Sequence, residues 1–305
     1  VTGRLGMKLV GAGAVLALLV GGGAVALRRT GTTDATWTVA RATPTPTATP
    51  SAAVSPGATA TTTPAEQPLA ASNRAVMQNP LYRVGQLPAS HCKEPSARPT
   101  SVAQVKAYYT ESIRCLDRAW APVIRKAGFT FWSPRLEVLA PGQVRTQCAI
   151  TDSGAYCNGV ISMRADFDLT NQRRYDRLWT RTTMAFLIAH EYGHHIQRLT
   201  GIMAASDTRA NYANGTDARL TESRRLELQA SCFSGVYLAA DRRYFPATGA
   251  WLKKWLWTVA HRGDEWNPER SHGNKTSHSR WSRRGLTSAS PASCNTFTAA
   301  PAAIA

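Results

Sequence analysis

The stretch that most constrains this chain is His190-Glu191-Tyr192-Gly193-His194-His195-Ile196-Gln197. Around it Met184, Ile188, Tyr192, Ile196 and Leu199 recur at helical spacing, and Ala185, Ala189 and Gly193 form a second strip of small residues. The pattern predicts a helix over residues 176–199, stopped at Gly201. Outside the motif it is apolar nearly all round, so it should be buried, and the small strip suits close approach by another helix. Buried histidines need partners, and a metal is one way to supply them. His190 and His194 are four apart and lie on one face, one turn from each other. That spacing lets two imidazoles bind one zinc ion, with Glu191 placed to hold and deprotonate water there. His195 stands roughly 140° round the helix from His190, which makes it a supporting or exposed residue rather than a ligand. Tyr192 reads as core.

A second helix spans residues 221–240, with Leu226, Leu228, Phe233, Val236 and Tyr237 apolar and Glu227 among them. A Glu between two Leu can be a plain surface charge; the upstream His pair makes Glu227 the candidate third ligand. Two His and one Glu leave a fourth position open, the usual arrangement of catalytic zinc.

The rest of the domain is read around these two helices. Ser101 and Gln104 resemble a capping box. Val102, Val105, Tyr109, Ile113, Leu116, Trp120 and Ile124 then form a core-facing stripe that ends at Gly128. Cys115, on this helix, can tie it to Cys92. Residues 135–163 read as strands. With Asp152-Ser153 as a two-residue turn, Cys148 and Cys157 fall on a non-hydrogen-bonded pair, close enough for a disulfide. A Trp-rich helix runs from Trp251 to His261. It is followed by Gly263-Asp264, a basic, His-containing segment at 271–286, and Cys294-Asn295-Thr296-Phe297.

The N-terminal quarter is built differently. Residues 9–27 carry no charge and are flanked by Arg4, Lys8, Arg28 and Arg29. They can just span a bilayer as a single-pass anchor; they also fit a signal peptide cleaved near Ala26, after Ala24-Val25-Ala26. Both readings export the remainder, and the anchor is the expectation carried forward. Residues 30–75, rich in Thr, Ala and Pro, read as a disordered tether. The folded domain is expected over 76–297, with 298–305 a disordered Ala/Pro tail. The six Cys include no C-x-x-C, which argues against a Cys-rich zinc site and fits disulfides in an oxidising compartment. The net charge of +17 fits attraction to an anionic cell-surface polymer or lipid, and equally a simple drift toward Arg. No dense basic run or basic-aromatic ladder is present, which argues against nucleic acid.

Together these motifs resemble the bacterial putative neutral zinc metallopeptidase family over roughly residues 78–297. HEYGHHIQ at 190–197 matches its zinc-binding helix, and RLELQASCFSGV at 225–236 its RLELQADCFAGV segment. The HG at 272–273, with Arg280-Trp281 and Arg283-Arg284-Gly285, matches its C-terminal segment, and CNTF at 294–297 its closing Cys motif. The resemblance implies an α+β, mainly helical zincin-like domain. With the strands above, its sheet is expected to be small and antiparallel. It also implies Zn2+ on His190, His194 and Glu227, Glu191 as general base, and disulfides Cys232–Cys294 and Cys148–Cys157.

Three positions depart from the family pattern. Ser231 stands where an Asp is usual, one helical turn after Glu227, where it would orient a ligand His. Lys275-Thr276-Ser277-His278 replaces SEQR, and Thr182-Thr183 replaces Gly-Asp. A tetrahedral oxyanion needs a donor besides the metal, and His272 is the candidate, against a plain structural or exposed role. Three functions stay open: an exported, tethered zinc peptidase acting on peptide or protein substrates; a catalytically weak member of the same fold serving as a binding or scaffold protein; and a basic surface protein in which the His helix is structural.

Overall fold

Residues 68–144 and 153–305 are described in the structure, a computed structural model. Eight α-helices and three strands are found among them: α1 (Pro68–Met77), α2 (Val102–Lys126), β1 (Arg135–Leu139), β2 (Gly154–Cys157), β3 (Val160–Arg164), α3 (Ala165–Arg174), α4 (Arg177–Leu199), α5 (Ile202–Tyr212), α6 (Thr216–Ala240), α7 (Gly249–Ala260) and α8 (Lys275–Ser288).

Two of the three long helices, α2 and α4, start and stop where their capping residues direct. Ser101 Oγ accepts from Gln104 N at the head of α2, and Asp176 accepts from Leu178 N and Trp179 N at the head of α4. Gly128 and Gly201 take left-handed backbone just past the ends of α2 and α4. Along α4 every residue from Phe186 to Gln197 is buried, as the all-round apolar pattern requires. Helix α6 begins at Thr216, five residues before the expected start. Tyr109, Leu116, Trp120 and Ile124 of α2 join Met184, Ile188, Tyr192 and Ile196 of α4 and Leu228, Phe233 and Val236 of α6 in one core.

The sheet departs from the antiparallel expectation. Its order is β1-β3-β2; β2 and β3 are antiparallel, but β1 runs parallel to β3. Parallel neighbours need a long connection, and residues 140–159 between β1 and β3 provide one. Val160, Ile161, Ser162 and Met163 of the central strand are all buried. β2 and β3 are joined by Asn158-Gly159, both with positive φ, a two-residue turn whose twist suits a hairpin. This Asn-Gly hairpin is one the sequence reading does not assign. The hairpin expected between Cys148 and Cys157 lies partly outside the described residues; Cys157 is disulfide-bonded.

Both ends of the folded part extend beyond their expected limits. Helix α1 occupies residues 68–75 of the expected tether; it buries Val76 and Ser72, and Asn73 accepts from Arg209 of α5. The C-terminal residues expected to be a disordered tail are fastened down: Ile304 is buried, Ala303 O accepts from Trp281 Nε1, and Ala305 O accepts from Asn274 N. Small and polar residues are read as linker by composition; here a few buried side chains and hydrogen bonds hold them. Two disulfides join distant segments, Cys92–Cys115 to α2 and Cys232–Cys294 to α6. No helix among the described residues is long and apolar enough to cross a membrane; residues 9–27 lie outside them.

Candidate metal centre

Helices α4 and α6 meet where neither has a bulky side chain. A Cβ placed on Gly193 would lie 2.8 Å from Ala230 Cα and 3.0 Å from its Cβ and O. On the other side α6 meets α8 through Gly235 and Gly285: a Cβ on either would run into the facing helix's backbone, at the Ser282 and Cys232 carbonyls. The small strip on α4 is therefore a helix-contact surface, and it sets how close α6 comes to the two histidines.

At that distance three donors converge. Glu227 Oε2 is 3.1 Å from His190 Nε2, and Glu227 Oε1 is 3.4 Å from His194 Nε2. One ligand atom from each of the three residues lies within 4.8 Å of the others. His190 and His194 are buried, and the Glu227 side chain is 16 % exposed. Burial opposes charge on all three groups. On His190 it dominates and lowers the pKa; on His194 the Glu227 carboxylate outweighs it and the pKa rises; Glu227 is held well below the ordinary carboxylate range by the two rings.

The outer nitrogens are anchored separately. His194 Nδ1 donates to Gln197 Oε1 at 2.9 Å. Gln197 is oriented by donating its amide to Leu226 O at 2.8 Å and Gln229 Oε1 at 3.1 Å, both on α6 beside Glu227. Gln229 in turn donates to Tyr82 Oη and Cys294 O. His190 Nδ1 lies 3.1 Å from Ser231 Oγ, which is 3.1 Å from His278 Nδ1. Both Nε2 atoms thus face the carboxylate, which leaves an imidazole–imidazole–carboxylate donor set that fits zinc.

The other sequence candidates fall around this cluster. The Glu191 side chain is buried and runs past Gly154 at the start of β2, where a Cβ would sit 3.5 Å from Glu191 Cγ. His272 is brought to the rim: its Nε2 is 3.9 Å from Glu227 Oε2, and its side chain is 52 % exposed. Buried Asp264 holds this loop, its Oδ2 accepting from His272 N at 2.7 Å. His195 is no part of the donor set. It is fully buried, with Nε2 donating to Trp132 O at 2.8 Å and Nδ1 accepting from Tyr156 Oη at 3.1 Å. Burial pushes its pKa down to about 4, so it stays neutral. Tyr192 is core, its hydroxyl donating to Asp117 at 2.6 Å. Sequence reasoning gave no role to His278, Gln197 or Asp264. The Gly-Asp pair at 263–264 was visible as a motif; the other two carry no signal without the fold.

No solved structure matches the chain with significance. The chain is 31% identical over 197 residues to the uncharacterized protein YpfJ of Escherichia coli (strain K12), covering 59% of this chain and 67% of the relative. It is 28% identical over 210 residues to the uncharacterized protein Rv2575 of Mycobacterium tuberculosis (strain ATCC 25618 / H37Rv), and to the uncharacterized protein Mb2605 of Mycobacterium bovis, covering 61% of this chain and 68% of each. Residues 83–297, which contain the converging donors and the Cys92–Cys115 and Cys232–Cys294 disulfides, match a family model as a whole, and the chain belongs to the family described as "Putative neutral zinc metallopeptidase".

Proposed function

We propose that this chain is a zinc-dependent peptidase of the HEYGHH type, with His190, His194 and Glu227 as zinc ligands, Glu191 as general base and His272 as a donor to the developing oxyanion. The observation that carries the reading is the convergence of two buried His Nε2 atoms on the two oxygens of Glu227, at 3.1 and 3.4 Å. Zinc held by three protein groups supplies a Lewis acid that polarises a peptide carbonyl and acidifies water. Glu191, next in sequence to His190, takes the proton of the attacking water on its carboxylate and delivers it to the leaving amine. His272, half-exposed 3.9 Å from Glu227, is positioned at the open side of the cluster, where a substrate carbonyl would enter. The buried rings of His190 and His194 keep their Nε2 atoms aimed inward through Ser231 and Gln197.

The domain acts outside the cytoplasm in this reading, exported and tethered through residues 9–27 and the linker that follows. Two disulfides, at 92–115 and 232–294, support an oxidising compartment. The substrate is a peptide or protein; the basic surface is free to bind an anionic cell-surface polymer. A second reading, a weakly catalytic binding or scaffold protein on the same fold, is favoured by Ser231, which offers His190 a neutral partner. Elemental analysis and peptide cleavage, with Glu191→Gln as comparison, separate the two. One zinc per chain with cleavage lost in Glu191→Gln supports the peptidase. Zinc with no cleavage above that variant supports the binding protein, and no zinc overturns both.

A further inference from the structure

An open groove of about 460 Å3 runs between the end of α7 and the outer side of α8. His261 stands on one wall, and Lys275, Ser279, Arg280 and Arg283 on the other. On α8 these four lie opposite Ser277, His278, Trp281 and Gly285, which are buried, so seating that face turns the cations outward. No Asp or Glu lines the groove. Lys275, Arg280 and Arg283 are exposed, and none has an ion-pair partner among the described residues. Arg283 Nε donates to Ser279 Oγ at 3.1 Å, and Arg280 reaches the Ala302 carbonyl at 3.5 Å. Glu265 is engaged by the backbone, accepting from Lys275 N at 3.0 Å. Both walls lead to the metal centre. Arg262, next to His261, has its guanidinium 5.3 Å over the Phe186 ring, which stacks 5.7 Å from the His190 ring. Lys275 is three residues from His272, so its backbone lies within about 11 Å of that rim residue. Arg283 is a further two turns away, about 12 Å along the axis of α8.

We propose that this groove is a subsite for the substrate chain, selecting peptides that carry Asp or Glu three to six residues from the scissile bond. The proposal rests on the peptidase reading above. Its spacing follows from the geometry. An extended peptide advances about 3.4 Å per residue, so with a peptide bond held at His272 its third to sixth residues pass beside Lys275, Arg280 and Arg283. Unneutralised cations along one helix face repel one another, and a row of carboxylates relieves that repulsion. The two guanidinium groups suit carboxylates because their paired N–H donors match both oxygens. Trp257, 50 % exposed and stacked on His261 at 4.0 Å, extends the wall with an apolar surface for the residues between the acids. Continuity with the rim where the peptide enters favours the substrate's own chain over a separate anionic polymer as the occupant. Arg280 and Arg283 are thus specificity residues and take no part in bond cleavage.

The test gives the zinc-loaded full chain a random peptide library and sequences the products. Cleaved peptides should be enriched in Asp and Glu three to six residues from the cut, on one side of it. In the double variant Arg280→Glu, Arg283→Glu that enrichment should vanish. For an acidic peptide chosen from the library, kcat/KM should then fall about tenfold through KM, since each exposed pair is weak and two are lost. Cleavage of neutral peptides should stay within about twofold of wild type, which also shows that the variant folds. Fluorescein-labelled oligoglutamate, followed by anisotropy, should bind wild type and Glu191→Gln alike, bind the double variant about tenfold more weakly, and lose affinity as salt rises. Cleavage without acidic enrichment, or enrichment that survives in the double variant, overturns the subsite and leaves the peptidase reading standing. Polyphosphate or a single-stranded oligonucleotide that binds this groove more tightly than oligoglutamate overturns the assignment to an acidic peptide. A wild-type chain that cleaves no library member overturns the peptidase reading and the subsite with it.

Discussion

Gly193→Ala tests whether helix packing, and not the motif alone, makes the donor set. By helix propensity the substitution should stabilise α4 by about 1 kcal/mol. The packing opposes it. The new Cβ would lie 2.8 Å from Ala230 Cα and 3.0 Å from Ala230 O, both backbone atoms that cannot rotate away. Ordinary contact begins near 3.4 Å, so α6 must retreat by 3.4 − 2.8, or 0.6 Å, at this point. Overpacking of this kind costs about 1–3 kcal/mol, enough to cancel the propensity gain and leave a net loss of up to about 2 kcal/mol. The effect on the site is sharper. Ala230 is three residues, nearly one turn, from Glu227, so the retreat carries the carboxylate with it. Metal–ligand distances tolerate only about 0.2 Å. Zinc affinity should therefore fall by about tenfold or more, measured by chelator competition, with urea unfolding of the metal-free chain as the stability assay. A variant more stable than wild type by the bare propensity gain of about 1 kcal/mol refutes the packing argument. A destabilised variant with wild-type zinc affinity refutes the link from packing to the site.

Three further outcomes are expected. Zinc affinity should climb with pH by about tenfold per unit through neutrality, because Glu227 raises the pKa of His194 and the metal must displace that proton; a flat isothermal-titration profile between pH 6 and 8 would contradict this. Gln197→Leu should weaken zinc binding by about tenfold, since it removes the 2.9 Å acceptor of His194 Nδ1 and leaves two buried α6 acceptors without their donor; unaltered affinity would show that His194 is oriented by packing alone. Asp168 is buried, accepts from Tyr109 Oη at 2.7 Å, and is pushed from 3.8 to about 7 by burial. Its folded pKa lies above its unfolded one, so its contribution is full below about pH 4 and is lost as pH rises to about 7, a loss of at most about 4 kcal/mol. Asp168→Asn should flatten that part of the pH–stability curve, and urea midpoints at pH 5 and pH 8 that differ as much as in wild type would count against it.

The elements legible in the sequence are those whose burial is apolar. Helices α2, α4 and α6 bury stripes of Val, Ile, Leu, Tyr and Trp at helical spacing, and such stripes are what periodicity detects. Helix α8 reads only as a basic segment, because of the face it buries, Ser277, His278, Trp281, Ser282, Gly285 and Leu286, only Trp281 and Leu286 are large and apolar. Ser282 and Gly285 are small because there α8 lies against the backbone of α6. Helix α1 was lost into the tether for a related reason: of its ten residues only Ser72 and Val76 are buried. The mixed sheet was missed because strand direction depends on which distant segment pairs with β3, and residue alternation carries no direction.

The site divides along the same line. His190, Glu191 and His194 share one helix, so their spacing states their geometry. Glu227 is reachable because the His pair upstream calls for a third ligand; taken alone, an acid between two Leu can be a plain surface charge. The groups that aim the ligands were out of reach: Gln197 acts through Leu226 and Gln229 of α6, and His278 acts through Ser231 from α8. These contacts exist only because Gly193, Gly235 and Gly285 let three helices approach at backbone distance. The tight α4–α6–α8 stack therefore does two jobs with one feature. It brings Glu227 to the histidines, and it brings Ser231 within hydrogen-bond reach of His190 Nδ1, which faces away from the site. Changes at the three glycines should disturb both together, whereas changes at Gln197 or His278 should disturb only ligand orientation and leave the helices in place.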